Sequence, residues 1–365
     1  MSSPSFHELS IKKVSQEAAG SVAITFDIPS ESLEKFHFEP GQFLTLRADV
    51  NGQDVRRNYS ISSPRSQFLK HSELEIGIRP VEGGVFSNWA ATQLKAGDTL
   101  KVMPPEGRFT IKKPRAIHRV GFAAGSGITP ILSIAATTLE EQTESKFTLI
   151  YGNRRMSSVM FNEALQDLKD RFPGRFTMIH ILSQQAQEVD LLQGRIDADK
   201  VQALVSTLLP ARSMDEVFIC GPEAMITATE TALLAAGVPA NRVYTERFTS
   251  GPAQAAKVQA DSDAKARPAA TSKLTQLRVM LDGKQHDVAA REGEFLLDAA
   301  LNAGLDLPYS CKGGVCCTCR CKVVSGKVSM DKNFTLEADE VAKGFVLSCQ
   351  ARALTPEVVL SYDER

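Results

Sequence analysis

Cys311-Lys-Gly-Gly-Val-Cys316-Cys-Thr-Cys319 is the most informative stretch of this chain, and a lone Cys349 follows it. The spacing C-x4-C-x2-C, completed by one distant cysteine, is that of a [2Fe–2S] cluster held by four thiolates. Three thiolates must converge from one short loop, and the two glycines let that loop curl because they carry no Cβ atom. The pattern predicts Cys311, Cys316, Cys319 and Cys349 as metal ligands.

Two other uses of these cysteines fit less well. A structural zinc site usually shows two C-x2-C pairs, and here only Cys316 and Cys319 have that form. A disulfide framework is disfavoured because seven cysteines is an odd number and the start of the chain lacks the features of a signal peptide. Cys317 and Cys321 fall outside the ligand pattern and are interpreted as neighbours, although Cys317 could replace a mutated ligand.

Composition limits the classes of partner. The 365 residues allow two or three domains, and 42 basic against 43 acidic residues leave a net charge of −1. This balance gives no reason to expect a nucleic-acid or membrane partner. No apolar run is long enough for a transmembrane helix. Together with thiols kept as metal ligands, these features lead us to expect a cytoplasmic protein.

The first part of the chain, up to about residue 111, reads as short alternating strands separated by turns such as Asn51-Gly52, which favours a small antiparallel barrel. It contains Arg57-Asn-Tyr59-Ser60 and Gly83-Gly84-Val-Phe-Ser87. A flavin needs a cation for its pyrophosphate, an aromatic face for its ring and a glycine-to-helix turn for its phosphates. Each motif alone is weak, because an amphipathic strand and a plain turn explain them equally well.

From about residue 117 strands alternate with helices, which predicts a parallel sheet. A buried strand over 117–124 runs into Gly125-Ser-Gly127-Ile-Thr129-Pro130 and then an apolar helix. Thr129 is the predicted N-cap of this helix. A strand, a glycine turn and a helix N-terminus in succession offer unpaired backbone N–H groups to a pyrophosphate. A second strand ends in Cys220-Gly221-Pro222 at the same kind of edge, although a lone Cys220 could also be a plain buried thiol.

The last part of the chain begins after a stretch rich in Ala, Pro, Ser and Lys. Residues 249–273 have this composition and are predicted to be a linker, with a short Ala-rich helix as the alternative. Residues 274–281 and 285–289, joined by Asp282-Gly283, predict a hairpin with a type I′ turn. A helix over 295–303 precedes the cysteine loop.

These motifs and their order resemble the ferredoxin–NADP reductase superfamily with a fused C-terminal plant-type ferredoxin. Tyr244-Thr-Glu246-Arg-Phe248 adds to the resemblance, which covers essentially the whole chain. Within the superfamily, the chain is most similar to reductase components of ring-1,2-phenylacetyl-CoA epoxidases. The resemblance implies four segments: an antiparallel β-barrel FAD domain (1–112), an α/β parallel-sheet NAD(P) domain (113–248), the linker (249–273), and an α+β, β-grasp ferredoxin domain (274–365).

The resemblance also implies roles for single residues. Arg57 would hold the FAD pyrophosphate, Tyr59 stack on the flavin and Ser60 contact its N5 atom. The remaining residues fall into four groups: Gly84 and Ser87 for the FAD phosphates; Gly125, Gly127 and Thr129 for the NAD(P) pyrophosphate; Cys220 and Gly221 beside the nicotinamide; Glu246 and Phe248 on the other face of the flavin. Cys311 and Cys316 would bind one iron, and Cys319 and Cys349 the other.

One position departs from relatives that prefer NADP, which often carry Ser-Arg after the third strand of the α/β domain. Here the chain reads Ser183-Gln184-Gln185, and Arg154, Arg155 or Arg195 could supply the missing charge. We expect NADPH as donor, with NADH as the alternative.

The function that the resemblance implies is an electron-transfer reductase that passes electrons from NADPH through FAD and the cluster to a partner oxygenase, the phenylacetyl-CoA epoxidase of phenylacetate catabolism. The alternatives are a reductase for another oxygenase, a steroid hydroxylase or a hybrid-cluster protein, and a redox-sensing or metal-binding protein without turnover.

Overall fold

The computed structural model describes residues 5–112, 117–248 and 274–364. Contacts divide the chain into two compact units. Of the described residues, the larger unit contains those of His7–Gln53 and Tyr59–Phe248, and the smaller contains 274–364 with two short segments, 5–6 and Asp54–Asn58. The predicted linker over 249–273 lies outside the described residues.

An antiparallel sheet of six strands forms the first part of the chain, in the order β4-β3-β6-β1-β2-β5. A bridge between Ile61 and Ile76 brings the end of β4 to β5, so the two edges of the sheet meet as the predicted barrel requires. Asn51 and Gly52 join β3 to β4 with φ angles of 55° and 79°, the type I′ turn that their sequence favours. The strands are β1 His7–Gln16, β2 Val22–Asp27, β3 Phe43–Val50, β4 Gln53–Ser60, β5 Glu73–Ile78 and β6 Thr99–Val102, and the helices are α1 Arg65–His71 and α2 Val85–Gln93.

A parallel five-stranded sheet follows, in the order β11-β10-β7-β8-β9. Its two faces carry separate cores, one around Ile131 and Leu165, the other around Val201 and Ile226. Burial on both faces explains why β7 and β10 are almost continuously apolar. The elements are β7 His118–Ala124, α3 Ile128–Glu141, β8 Lys146–Asn153, α4 Asn162–Arg171, β9 Phe176–Leu182, α5 Ala198–Thr207, β10 Glu216–Gly221, α6 Glu223–Ala235 and β11 Val243–Arg247.

The C-terminal part has a five-stranded sheet in the order β13-β12-β18-β14-β16 and a two-stranded sheet of β15 and β17. Asp282 and Gly283 have φ angles of 50° and 71° and pair Leu281 with Lys284, which confirms the predicted type I′ hairpin. The elements are β12 Leu274–Leu281, β13 Lys284–Arg291, α7 Leu296–Asn302, β14 Arg320–Ser325, β15 Val328–Met330, α8 Ala338–Ala342, β16 Phe345–Leu347, β17 Ala351–Ala353 and β18 Glu357–Ser361.

Within the residues that the structure describes, no helix combines the length and the hydrophobicity that a bilayer crossing requires.

Candidate functional site

Strand β4 carries Arg57, Tyr59 and Ser60. Arg57 and Tyr59 are two residues apart and so project from the same face, whereas Ser60 projects from the other. Arg57 is exposed and its guanidinium donates to the carbonyl of Arg56, with an Nη1–O distance of 2.7 Å. The Tyr59 ring lies 5.7 Å from the ring of Phe86 in α2. The strand therefore presents a cation and an aromatic ring on one face.

Ser60, Glu246 and Cys220 meet at the end of strands β10 and β11. Cys220 and Glu246 are register partners on these parallel strands. The Ser60 hydroxyl, which is buried, donates to Oε2 of Glu246 over 3.2 Å. Three residues from separate parts of the chain are thus brought into one group, and all three are among the predicted site residues.

Burial controls the protonation of this group. Glu246 as a whole residue is only partly buried, but the dense protein around its carboxyl group raises the pKa to about 8, while the hydrogen bond from Ser60 lowers it slightly. Cys220 is fully buried, and burial together with the nearby Glu246 raises the pKa of its thiol well above the usual value. At neutral pH both groups therefore carry their protons.

The predicted FAD phosphate residues lie where β5 passes into α2. Gly84 is the N-cap of α2, without a side-chain cap, so the first turn leaves backbone N–H groups for an anion. Ser87 is buried, and its Oγ accepts the N–H of Val81 at 3.3 Å. A Cβ on Gly84 would lie 2.5 Å from that Oγ, so only glycine leaves this turn open. Phe248 follows β11 and is 38% exposed.

The glycine turn after β7 differs from prediction in how the helix starts. Residues Gly125–Gly127 form a 3-10 turn and α3 begins at Ile128, with Gly127 as N-cap. The predicted N-cap at Thr129 is wrong, because the 3-10 turn starts the helix earlier. The Thr129 hydroxyl instead donates back to the carbonyl of Ser126 at 3.0 Å, and Thr129 is buried.

Small residues line the carboxyl edge of the parallel sheet beside this turn. Gly221, Ala124 and Gly152 lie at the ends of three adjacent strands, and a Cβ on either glycine would lie within 3.6 Å of the Ala124 methyl group. A Cβ on Gly127 would lie 2.1 Å from the carbonyl oxygen of Cys220. The backbone of the turn therefore packs directly on β10, at the edge of the sheet where open α/β sheets bind ligands.

Two residues that the sequence did not single out contact the turn. The buried Tyr151 donates from Oη to the carbonyl of Gly125 at 3.0 Å. A Cβ atom on Gly125 would lie 2.9 Å from Nη1 of Arg79, so the guanidinium lies next to this glycine. Gly125 has a φ angle of 54°. Tyr151 lies near the end of β8. In the sequence, only this position indicated that it could contact the glycine turn.

The four predicted cluster ligands come together as two pairs. The thiols of Cys311 and Cys316 lie within hydrogen-bonding reach of each other, and so do those of Cys319 and Cys349. The charge of Cys319 also acts on Cys311, so the two pairs are neighbours. The hydrogen bond from Cys349, together with burial, raises the pKa of the Cys319 thiol well above its usual value.

Such pairing fits a two-iron cluster, in which each iron takes two thiolates. Ser310 adds a buried hydroxyl without a hydrogen-bond partner among the described residues, which suits a negatively charged group in this loop. In the described ranges, no three His, Cys, Asp or Glu side chains converge on a single metal-ion position. Cys321 is buried, and burial raises the pKa of its thiol.

Gln350 ties the cysteine loop to the segment of the fourth cysteine. The side chain is 1% exposed, and its Nε2 donates to the carbonyls of Lys312 and Cys349, both at 2.9 Å. The same atom is 3.7 Å from the Sγ of Cys349. Gln350 thus holds both predicted ligand segments through its side-chain amide. In the sequence, only its position next to Cys349 pointed to this role.

A second polar chain reaches Cys319 from the end of strand β18. The Tyr362 hydroxyl donates to Oγ of Ser348 at 2.7 Å, and that Oγ donates to the carbonyl of Cys319 at 3.0 Å. All three residues are buried. The backbone on either side of the cysteine group is therefore fixed by hydrogen bonds.

Three family models match successive parts of the chain. The FAD-binding domain of oxidoreductases matches residues 8–111, the oxidoreductase NAD-binding domain matches 122–231, and the 2Fe-2S iron-sulfur cluster binding domain matches 279–354. Their order is that of the motifs described above.

Curated relatives cover the chain almost completely. It is 45% identical to a component of the 1,2-phenylacetyl-CoA epoxidase of Escherichia coli (strain K12), over 99% of this chain and 98% of the relative. It is 36% identical to the ferredoxin reductase component of the 3-ketosteroid-9-alpha-monooxygenase of Rhodococcus rhodochrous, over 97% of this chain and 96% of that protein.

Solved structures show the same fold. Phthalate dioxygenase reductase superposes with a TM-score of 0.58 at 23% identity, covering 98% of both chains. An intact type IV self-sufficient cytochrome P450 monooxygenase gives a TM-score of 0.67 at 21% identity, with 97% of this chain matching 41% of that one. The three matched domains and the two curated relatives show that this chain belongs to the ferredoxin–NADP reductase superfamily, in the group whose C-terminal [2Fe–2S] domain receives electrons from NAD(P)H by way of FAD.

Proposed function

We propose that this chain is the reductase component of an oxygenase system that epoxidises the ring of phenylacetyl-CoA. The observation that carries the proposal is 45% identity to a component of such an epoxidase over nearly the full length of both chains. A cytoplasmic location is part of the proposal, because thiolate ligands need a reducing compartment.

When bound, FAD accepts the two electrons of a hydride and delivers them singly to the [2Fe–2S] cluster, which takes one at a time. The chain's own contribution is binding and orientation. Arg57 is assigned to the FAD pyrophosphate, Tyr59 to the flavin ring, and Gly84 and Ser87 to the FAD phosphates. The exposed guanidinium of Arg57 and the open turn at Gly84 support this assignment.

Ser60, Cys220 and Glu246 are assigned to the place where hydride moves. The Ser60 hydroxyl is held by Glu246 and so has one orientation in which to meet the flavin. Cys220, which is fully buried, and Gly221 border the nicotinamide, and the neutral thiol adds no charge beside it. Phe248 covers the flavin on the side of Glu246 and limits the access of water.

The donor is assigned as NADPH, bound through Gly125, Gly127 and Thr129. The Thr129 side chain is turned inward, so its part is to fix the turn through Ser126. Gln184 stands where relatives that prefer NADP often carry arginine. Its N–H donates to the carbonyl of Arg154 at 2.8 Å, so an exposed arginine is already adjacent to that position. Arg154 is therefore the candidate for the 2′-phosphate.

Cys311 and Cys316 are assigned to one iron, and Cys319 and Cys349 to the other. The two thiol pairs support this division. Cys317 and Cys321 remain outside the ligand set.

The test is an anaerobic titration of the purified protein with NADPH and, separately, with NADH, followed by visible absorbance. The reduced protein is then combined with the oxygenase to reconstitute the complete system. We expect the flavin bands and then the cluster bands to bleach, at lower NADPH than NADH. The reduced protein should then support epoxidation of phenylacetyl-CoA by the cognate oxygenase. A colourless protein, or flavin bleaching without a cluster signal, would contradict the proposal.

A second candidate is a reductase for a 3-ketosteroid 9α-monooxygenase, which the 36% identity to that component supports. The two candidates differ only in their acceptor. Turnover with the steroid monooxygenase and none with the epoxidase, at equal reduction of the cluster, would favour the second.

A further inference from the structure

The carbonyl oxygen of Cys319 accepts two hydrogen bonds from one residue, Ser348. The backbone N–H of Ser348 donates to this oxygen over 3.2 Å, and the Ser348 Oγ donates to it over 3.0 Å. Ser348 directly precedes Cys349 in the chain. The contact therefore ties the backbone beside one predicted cluster ligand to the backbone beside another.

Tyr362 sets the direction of the Ser348 hydroxyl. A serine hydroxyl can rotate and can act as donor or acceptor, whereas a carbonyl oxygen can only accept. Ser348 must therefore donate to the Cys319 carbonyl, and the Tyr362 hydroxyl, 2.7 Å from Ser348 Oγ, must donate to Ser348. Ser348 is 0% exposed and Tyr362 is 2% exposed, so water does not compete for these groups.

This direction has an electrostatic consequence for the predicted cluster site. Both hydroxyl hydrogens point toward Cys319, so the positive ends of two O–H dipoles face a predicted ligand segment. In a buried region consecutive hydrogen bonds polarise one another, which strengthens the effect. A reduced cluster carries one more negative charge than an oxidised cluster, and a positive potential stabilises that charge. The chain of hydrogen bonds is thus oriented to favour the reduced form.

We propose that Tyr362 is a positioning residue that raises the midpoint potential of the [2Fe–2S] cluster, acting through Ser348 and the carbonyl of Cys319. The inference rests on the proposed function and adds to it a residue that sets how readily the cluster takes an electron. Tyr362 directly follows β18 and reaches the Cys319 carbonyl by way of Ser348, outside the four-cysteine ligand set.

The experiment is an anaerobic redox titration of the full-length holoprotein, in which the EPR signal of the reduced cluster is followed against the solution potential. Tyr362→Phe, Ser348→Ala, Ser348→Thr and the double variant of Tyr362→Phe with Ser348→Ala are compared with wild type. Two controls remove a hydroxyl elsewhere. Tyr244→Phe removes one that donates to the carbonyl of Asn241, and Ser325→Ala removes an exposed one from β14.

We expect Tyr362→Phe and Ser348→Ala to lower the equilibrium constant for cluster reduction by roughly three- to tenfold, the effect of one hydrogen bond. A tenfold change is 59 mV for one electron. Ser348→Ala should have the larger effect because it removes the direct donor, and Ser348→Thr should recover the potential because it keeps a hydroxyl. The double variant should shift no further than Ser348→Ala, since Tyr362 acts through that hydroxyl.

The midpoint is read only from molecules that hold a cluster, so a variant with less iron still gives a value. A midpoint in Tyr362→Phe equal to that in Tyr244→Phe, or one above wild type, would overturn the inference. Additive shifts in the double variant would also overturn it, because Tyr362 would then act independently of Ser348. Wild type without the EPR signal of a reduced [2Fe–2S] cluster would instead refute the proposed function, so the two failures are distinguishable.

Discussion

Glu246 lies between Ser60 and Cys220, and burial raises the pKa of its carboxyl group to about 8. It is therefore neutral at pH 7 and becomes charged only in mildly alkaline solution. In the proposed site, a negative charge on Glu246 would lie beside the flavin and oppose the arrival of electrons. The proposed function therefore links protonation of this one side chain to the rate of the hydride step.

We expect the rate of flavin reduction by NADPH to fall as the pH rises through about 8 in wild type, because the carboxyl group loses its proton there. In Glu246→Gln the side chain is uncharged at every pH, so this inflection should be absent. Anaerobic stopped-flow absorbance between about pH 6 and pH 10 provides the measurement. The same inflection in both proteins would show that another group titrates.

Gln350 is not among the predicted cluster ligands, but its side chain holds the backbone of two segments that carry them. Gln350→Leu removes the donors to Lys312 and Cys349 while keeping much of the side-chain volume. We expect the rate of iron release to a chelator to rise roughly 10- to 100-fold, as for other residues that orient metal ligands. Gln285→Leu, at an exposed position of β13, is the control. Equal rates of iron release from the two variants would show that Gln350 does not stabilise the predicted cluster site.

At the scale of elements, the junction of β7, the glycine turn and α3 has little room for added atoms. Gly127 packs on the backbone of Cys220, so the turn and β10 are in direct contact. Replacing Gly127 by Ala places a methyl group within 2.1 Å of a carbonyl oxygen, and backbone must move to admit it. The displaced parts are those assigned to the pyrophosphate and to the nicotinamide.

Gly127→Ala is expected to lower the free energy of unfolding by about 1–3 kcal/mol, as other overpacked sites do. It should also raise KM for both nucleotides. Gly174→Ala is the matched control, because a Cβ there has nothing within 4 Å and its φ is not positive. Chemical denaturation followed by flavin fluorescence, together with initial rates, checks both effects. Equal stability of the two variants would contradict the close packing.

The elements that the sequence predicted best were those with strong local signals. Asn51-Gly52 and Asp282-Gly283 each predicted a two-residue turn, and both turns have the required positive φ angles. The start of α3 was mispredicted because threonine often caps helices, and a rule based on capping residues does not detect the 3-10 turn that precedes Thr129. Arg79 was missed because its approach to Gly125 depends on how distant strands pack.

For the whole molecule, the order of the FAD-binding, NAD-binding and [2Fe–2S] parts follows the order of the motifs. The four cysteines could be predicted because metal ligands impose a fixed spacing on the chain. Gln350 and the Tyr362–Ser348 pair could not, since hydrogen bonds to backbone leave no spacing rule. The domain boundaries after residues 112, 248 and 273, and the roles of single residues, stay predictions.

Cys349→Ser tests the direction of electron flow through the whole molecule. Under the proposed assignment the variant lacks one of the four cluster ligands, so we expect transfer to cytochrome c and to the oxygenase to stop. NADPH-dependent reduction of a dye that takes electrons from FAD should continue at the wild-type rate. Cys321→Ser is the control for a buried cysteine outside the ligand set. Cytochrome c reduction that survives in Cys349→Ser would refute the assigned path.

The pairing of the four cysteines has a consequence for the ageing of the protein in air. Cys316 is a neighbour of Cys311, and Cys349 is a neighbour of Cys319, so each predicted ligand thiol has a second thiol beside it. Dioxygen can oxidise each pair to a disulfide, and a disulfide is no ligand for iron. Repair of a damaged molecule therefore has to begin with a thiol reductant, and iron and sulfide can be returned only after that.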